Sequence, residues 1–175
     1  MHAEQNGVIR PLSVDDYPYV SSVVDDWWGG RPVRASLPRL FFEHFQSSSF
    51  AVGEGTQLQA FLIGLVSQTD PQIAYIHFVG VHPAARQQQL GKRLYRHFFR
   101  TVAARGCVEV RSITSPVNRT SIAFHQKMGF SLMPGNGEID GIPVTLDYAG
   151  EGQHRVRFRK EGWRDDDLNA GDVGK

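Results

Sequence analysis

Between Val79 and Arg93 the chain reads V-G-V-H-P-A-A-R-Q-Q-Q-L-G-K-R, and these residue types in this order suit one task, holding a polyanion against main-chain amides. An apolar strand, Ile73–Val81, meets a turn at His82 and Pro83, and a helical pattern begins near Leu90. The start of a helix offers N–H groups without intrahelical partners and the positive end of the helix dipole. Gly91 admits a ligand close to the backbone, while Arg86, Lys92 and Arg93 add positive charge. On spacing alone, an ordinary strand-to-helix connection with solvated basic residues reads the same way.

Three further positions could carry chemistry. Strict alternation along the strand puts Tyr75, His77, Val79 and Val81 on one face and Ile76, Phe78 and Gly80 on the other. His77 thus interrupts an apolar face, either as a hydrogen-bonded core histidine or as a working group. Asn118 precedes a helical segment stopped by Gly129 and reads first as an N-cap. His125 lies within that segment, as a polar surface residue or as a proton donor whose unperturbed pKa of about 6.5 suits neutral pH.

The elements that must position these groups can be placed in order. Residues 8–11 suit a first strand, and Ser13 with Asp16 marks a helix start whose stripe runs through Tyr17, Val20, Val23 and Val24. That helix stops near Trp27, before Gly29, Gly30 and Pro32, and a second amphipathic segment spans residues 37–45. The connection, D-D-W-W-G-G-R-P, cannot turn both tryptophans inward from one stripe, so at least one lies near the surface or lines a cleft. Strands over residues 50–52 and 58–68 form hairpins with Ile73–Val81. Leu90, Leu94, Phe98 and Val102 then recur every four residues in a core-facing helix that ends at Arg105 and Gly106. A strand over residues 108–114 completes a βαβ crossover with parallel strands. Beyond Leu132, Asp140-Gly141 offers a tight turn, residues 156–160 suit a closing strand, and the acidic stretch 164–175 reads as a disordered tail.

Composition sets the bounds. The chain has 175 residues, 41% hydrophobic and 21% charged, which suits one soluble domain. A net charge of +1 gives no broad field for nucleic acid or a membrane surface, so neither is expected as a partner. The single cysteine, Cys107, excludes an internal disulfide. The histidines at 2, 44, 77, 82, 97, 125 and 154 show no paired ligand spacing, and no metal is expected. No apolar run reaches the roughly 18 residues of a spanning helix. The first seven residues lack a signal-peptide core, and a cytoplasmic location is expected.

Two stretches carry a family resemblance. Arg86, Gln87, Gln88, Gln89, Leu90 and Gly91 resemble the acyl-CoA loop of the GCN5-related N-acetyltransferases (GNAT), whose pattern is Gln or Arg, two residues, Gly, one residue, then Gly or Ala; Gln89 stands at the first glycine position. About thirty residues later, N-R-T-S-I-A-F-H-Q-K-M-G-F resembles the second signature of that family, with Asn118, His125, Gly129 and Phe130 in register.

The resemblance implies a GNAT acyl-CoA N-acyltransferase fold of the α/β class (α+β mixed sheet). Its central sheet is mixed and mostly antiparallel, with a splayed parallel strand pair and helices on both faces. Residues 1–162 would form the domain and 163–175 the tail. It implies acetyl transfer from acetyl-CoA to a primary amine of a small molecule or peptide, with acetyl-CoA as cosubstrate. Gln87 to Lys92 would surround the pyrophosphate, with Arg86 beside them. Val79, Gly80 and Val81 would meet the acetyl-pantetheine, and Asn118 its arm. His125 takes the place of the tyrosine that often protonates the leaving thiolate. The glutamate base often carried by the central strand is absent, which leaves Tyr75 and His77 as the titratable groups there. Trp27, Trp28 and Arg31 become substrate-contact candidates, with Asp25 and Asp26 able to attract a cationic amine. Homodimers are common in the family, and no stripe in this sequence establishes one. A different acyl-CoA, an alcohol acceptor, or a non-catalytic acyl-CoA-binding module remain the rival readings.

Overall fold

A computed structural model describes residues 7–169. Its spine is a seven-stranded sheet in the order β1-β2-β3-β4-β5-β9-β6, where β1 is Ile9–Pro11, β2 Phe50–Val52, β3 Ala60–Val66, β4 Ile73–Val81, β5 Glu109–Thr114, β6 Ser131–Leu132 and β9 Val156–Glu161. Every neighbouring pair is antiparallel except β4 and β5. β7 (Gly137–Ile139) and β8 (Ile142–Val144) form a separate hairpin. Its turn residues Asp140 and Gly141 have φ of 50° and 77°, the left-handed pair a two-residue hairpin turn requires.

Helices α1 (Tyr17–Trp27) and α2 (Leu40–His44) cover one face of the sheet, and α3 (Leu90–Ala103) and α4 (Arg119–Lys127) the other. The first cover begins with a capping box, in which Ser13 accepts from Asp15 and Asp16 accepts from the Ser13 amide. Val20, Val24 and Trp27 from α1 join Phe42, Phe61 and Ile63 in one buried cluster. On the opposite face Leu90, Leu94, Phe98, Phe99 and Val102 of α3 pack against Leu62, Ala74 and Ile76. The α3 stripe is the one its four-residue repeat predicts. The second amphipathic segment is shorter than residues 37–45: a 3-10 turn at Arg34–Ser36 precedes it and only Leu40–His44 is α-helical.

One departure matters for the site. Ile63 pairs with Phe78 and Gly64 with Ile76, so His77 is an extra residue in β4, a β-bulge. Alternation therefore fails there. Ala74, Ile76, Val79 and Val81 all pack toward α3 and α4, whereas Phe78 joins the α1 and α2 cluster. Tyr75, Val79 and Val81 thus do not share a face as the period-two reading had it.

The chain end also differs from the sequence reading. Trp163 packs on Phe99 at 5.7 Å, a helical turn α5 spans Asp165–Leu168, and Asp167 is fully buried 2.7 Å from the Lys160 ammonium. Residues 163–169 are therefore folded against α3 and the Lys160 end of β9, and the remainder of the predicted tail lies outside the described residues.

Candidate active site

The stretch before α3 is a 3-10 helix, Pro83–Gln88, rather than an open loop, and His82 caps it by accepting from the Ala84 amide. Gln89 then turns the chain with φ 54° and ψ 23° and forms no side-chain cap on α3. The first intrahelical bond to the Gln89 carbonyl comes from Arg93 at 3.1 Å. The N–H groups of Leu90, Gly91 and Lys92 therefore have no intrahelical acceptor. A Cβ at Gly91 would meet only Phe124 and Val81, at 3.7 and 3.9 Å, which is ordinary contact. The protein itself thus does not require a glycine there. Lys92 is half-buried beside these amides, while Gln87, Gln88 and Gln89 are exposed. Arg86 is engaged elsewhere: its guanidinium donates to the Trp27 carbonyl, at the negative end of α1.

Next to this helix end the parallel pair comes apart. β4 and β5 are in register at Ile73, Ala74 and Tyr75 against Glu109, Val110 and Arg111, and no further. Ser112 donates its hydroxyl to the Ile76 carbonyl at 3.0 Å, at the apex of the splay. From Phe78 to Val81 the β5-facing edge of β4 has no strand partner among the described residues, so a ligand lying in the wedge can take main-chain hydrogen bonds there. Asn118 caps α4 by accepting from the Ser121 amide at 3.2 Å, the N-cap role its sequence position indicates.

A cleft of about 500 Å³ opens beside the splay, lined by residues that include Tyr75, Arg111, Ile113, Met133, Tyr148 and Arg157. Burial pushes the Tyr75 phenol up to about 12, with Tyr148 contributing, so it stays protonated near neutral pH. His77 stacks on Phe41 at 4.3 Å. Its Nε2 lies 2.6 Å from the Ser36 carbonyl, which can only accept, so Nε2 carries the proton and Nδ1 the lone pair. Burial lowers the His77 pKa, which favours that neutral form.

His125 is not the cationic donor the sequence reading had in view. It is 4% exposed and stacks flat on Phe158 at 4.1 Å. Nδ1 lies 2.7 Å from the Ser121 carbonyl and so donates, which leaves Nε2 to accept from the Tyr95 hydroxyl at 3.0 Å. Burial pushes the imidazole down to about 4 and also raises the Tyr95 phenol. Both groups are neutral near pH 7 and each satisfies the other.

Of the α1–α2 connection, Trp27 is buried on Phe61 and His82, which removes it from substrate contact. Trp28 is half-buried and packs on Phe78 with ring centroids 4.7 Å apart and planes tilted by 39°, and Arg31 is exposed with Nε donating to the Trp28 carbonyl. Asp25 is occupied by the Val33 and Arg34 amides and shapes this loop rather than awaiting an amine. Arg111, Tyr148 and Arg157 were not foreseen from the sequence. The one signal is for Arg157, in the alternation V-R-F-R-K of β9, which sets the arginines on one strand face and Val156, Phe158 and Lys160 on the other.

Among the described residues no group of three or more His, Cys, Asp or Glu is arranged to hold a metal ion, and no helix is long and apolar enough to cross a membrane.

A mixed sheet splayed at its one parallel pair, with an uncapped helix start beside the gap, defines an acyltransferase architecture. The sequence model described as the acetyltransferase (GNAT) family matches residues 12–130, and the chain belongs to that family. Among solved structures, Ard1 from Thermoplasma volcanium superposes with a TM-score of 0.71 at 18% identity, over 90% of this chain and 99% of that one. The ribosomal-protein-S18-alanine N-acetyltransferase from Escherichia coli gives 0.62 at 16% identity, over 97% and 99% of the two chains. YncA from Salmonella typhimurium, solved with its cofactor acetyl-CoA, also gives 0.62 at 16% identity, over 97% and 98%. At these identities the likeness is one of fold. A comparison with curated protein sequences finds no match.

Proposed function

We propose that this GNAT enzyme moves an acetyl group from acetyl-CoA to a primary amine by direct attack. The observation that carries the reading is the unclaimed set of amides at Leu90, Gly91 and Lys92 beside the splay of β4 from β5. The helix start and Lys92 would hold the pyrophosphate. The free β4 edge from Phe78 to Val81, with Asn118 opposite, would hold the pantetheine and leave the thioester at the apex near Ser112. The main-chain N–H of Val79, the nearest of Val79 to Val81 to that apex, would stabilise the oxyanion that develops as the amine adds.

The attacking amine must be neutral. Tyr75 remains a phenol and serves as a hydrogen-bond donor in the cleft. His77 carries its lone pair on Nδ1 and has a lowered pKa; it stands beside the cleft rather than on its lining, so it takes the amine proton through water. The proton for the leaving thiolate comes from solvent, because the Nδ1 proton of His125 is given to Ser121 and its Nε2 accepts from Tyr95.

Gly91→Ala tests the reading. The substitution meets only ordinary contacts inside the protein and removes a residue that is poor in helices, so the thermal midpoint holds or rises. Acetyl-CoA affinity by titration calorimetry falls about tenfold or more, since the new methyl stands where the ligand approaches the backbone. Equal affinity in the two proteins would remove the α3 amides from the donor site.

A further inference from the structure

The cleft beside the splay carries charge that acetyl transfer itself does not use. β5 and β9 are antiparallel with Arg111 opposite Arg159 and Ile113 opposite Arg157, so three arginines from adjacent strands share one sheet face. Like charges so placed repel unless something neutralises them. Arg159 is neutralised twice, by Glu109 at 3.3 Å and by Glu161. Arg111 gives only its Nε to Glu109, and no protein acceptor among the described residues takes its two Nη groups. Arg157 has no carboxylate partner among the described residues; its guanidinium lies over the Tyr148 ring, 5.5 Å from the centroid.

Both forks border the cleft, whose other walls include the apolar Leu65, Ile73, Ile113 and Met133. Guanidinium Nη groups left without an acceptor are costly in such half-buried surroundings, and a planar oxyanion is the group that satisfies those of Arg111 and Arg157 together. The one carboxylate on the lining, Asp70, is exposed at the β3–β4 turn and accepts from the Gln72 amide. A cleft of about 500 Å³ matches a small molecule.

We propose that the acceptor is a small primary amine whose own frame carries a carboxylate or similar oxyanion and an apolar body, as in an apolar amino acid. Arg111 and Arg157 clamp the oxyanion, and the amine reaches the thioester at the splay. Acceptors with a second cationic group, such as polyamines, are repelled by the same pair. The assignment rests on the acetyl-transfer reading above.

The test compares leucine, methionine and phenylalanine with their amides and with spermidine, reading thiol release at saturating acetyl-CoA. The free acids are expected to have a KM lower than the amides by about tenfold or more, with spermidine the poorest. Arg157→Gln and Arg111→Gln should raise KM for the acids, leave the amides and acetyl-CoA affinity unchanged, and so erase the preference; Arg157→Lys should restore part of it. Binding of the same acids and amides, followed by ligand-observed NMR on the wild type and on Arg157→Gln, gives a readout independent of turnover. Binding lost with Arg157→Gln supports the clamp even if no amine is acetylated, an outcome that would defeat the transfer reading alone. Equal binding of acids and amides, or faster turnover of spermidine, would overturn the clamp while leaving acetyl transfer intact.

Discussion

His125 shows how a motif position changes its meaning once its neighbours are known. By spacing it stands where a proton donor is expected, yet it packs flat on Phe158 with both nitrogens engaged. Its pKa falls from 6.5 in the unfolded chain to about 4 when folded, so protons bind preferentially to the unfolded state. Stability is therefore full above pH 6.5 and drains as pH falls toward 4, a loss of about 3 kcal/mol from this group by linkage. In His125→Phe that portion of the pH dependence should vanish from urea titrations run between pH 7 and 4. Thiol release at pH 7.5 should stay within about threefold of wild type wherever the variant is folded, because no imidazolium is lost. At the same scale Gln89 occupies, at φ 54°, a left-handed backbone conformation that favours glycine.

At the level of elements, periodicity disclosed most of the scaffold. The strand Ile73–Val81, the α3 stripe, the Asn118 cap and the Asp140-Gly141 turn all stand where residue types put them. What hid was non-local. The bulge at His77 arises from pairing with β3 and leaves no mark in the alternation of β4 itself. The arginine face of the cleft needs Arg111 and Arg157 brought together by β5–β9 pairing across a long loop. Trp27, by contrast, was legible: it continues the Val20 and Val24 stripe of α1 and is buried with it, while Trp28 lies off that stripe. The packing of α3 on β3 makes a quantitative point. A Cβ at Gly64 would lie 2.2 Å from the Phe98 ring, so Gly64→Ala should cost about 1–3 kcal/mol of stability by overpacking, read as a lower urea midpoint with unchanged slope. Gly64→Ala with Phe98→Leu should recover part of that loss.

Taken as a whole, the molecule is pinned beyond β9 by a buried ion pair. Lys160 and Asp167 are 2% and 0% exposed and form an ion pair to which Arg164 adds a weaker contact at 3.4 Å. Burial pushes the Asp167 carboxyl up, but hydrogen bonds from Lys160 and Arg164 outweigh it and hold the group below the usual carboxylate range. The stabilisation is present above the ordinary carboxylate pKa and disappears only as pH falls through the lower folded value. Asp167→Asn leaves the ammonium without its counter-charge and should cost about 3–5 kcal/mol at pH 7, measured by denaturant unfolding. Lys160→Met with Asp167→Leu should regain most of it. Acidic composition suggested an unstructured tail because, although the alternation of β9 puts Lys160 on the Val156 and Phe158 face, nothing in the sequence shows that Asp167 returns to pair with it.

The position of β9 also governs how the molecule can be made. β9 leaves the ribosome after β5 and β6 and is inserted between them, so β6 has no neighbour and β5 keeps a bare margin until residues 156–161 have emerged. Synthesis halted before that point yields a sheet two strands short with an open flank, the state in which chains adhere to one another.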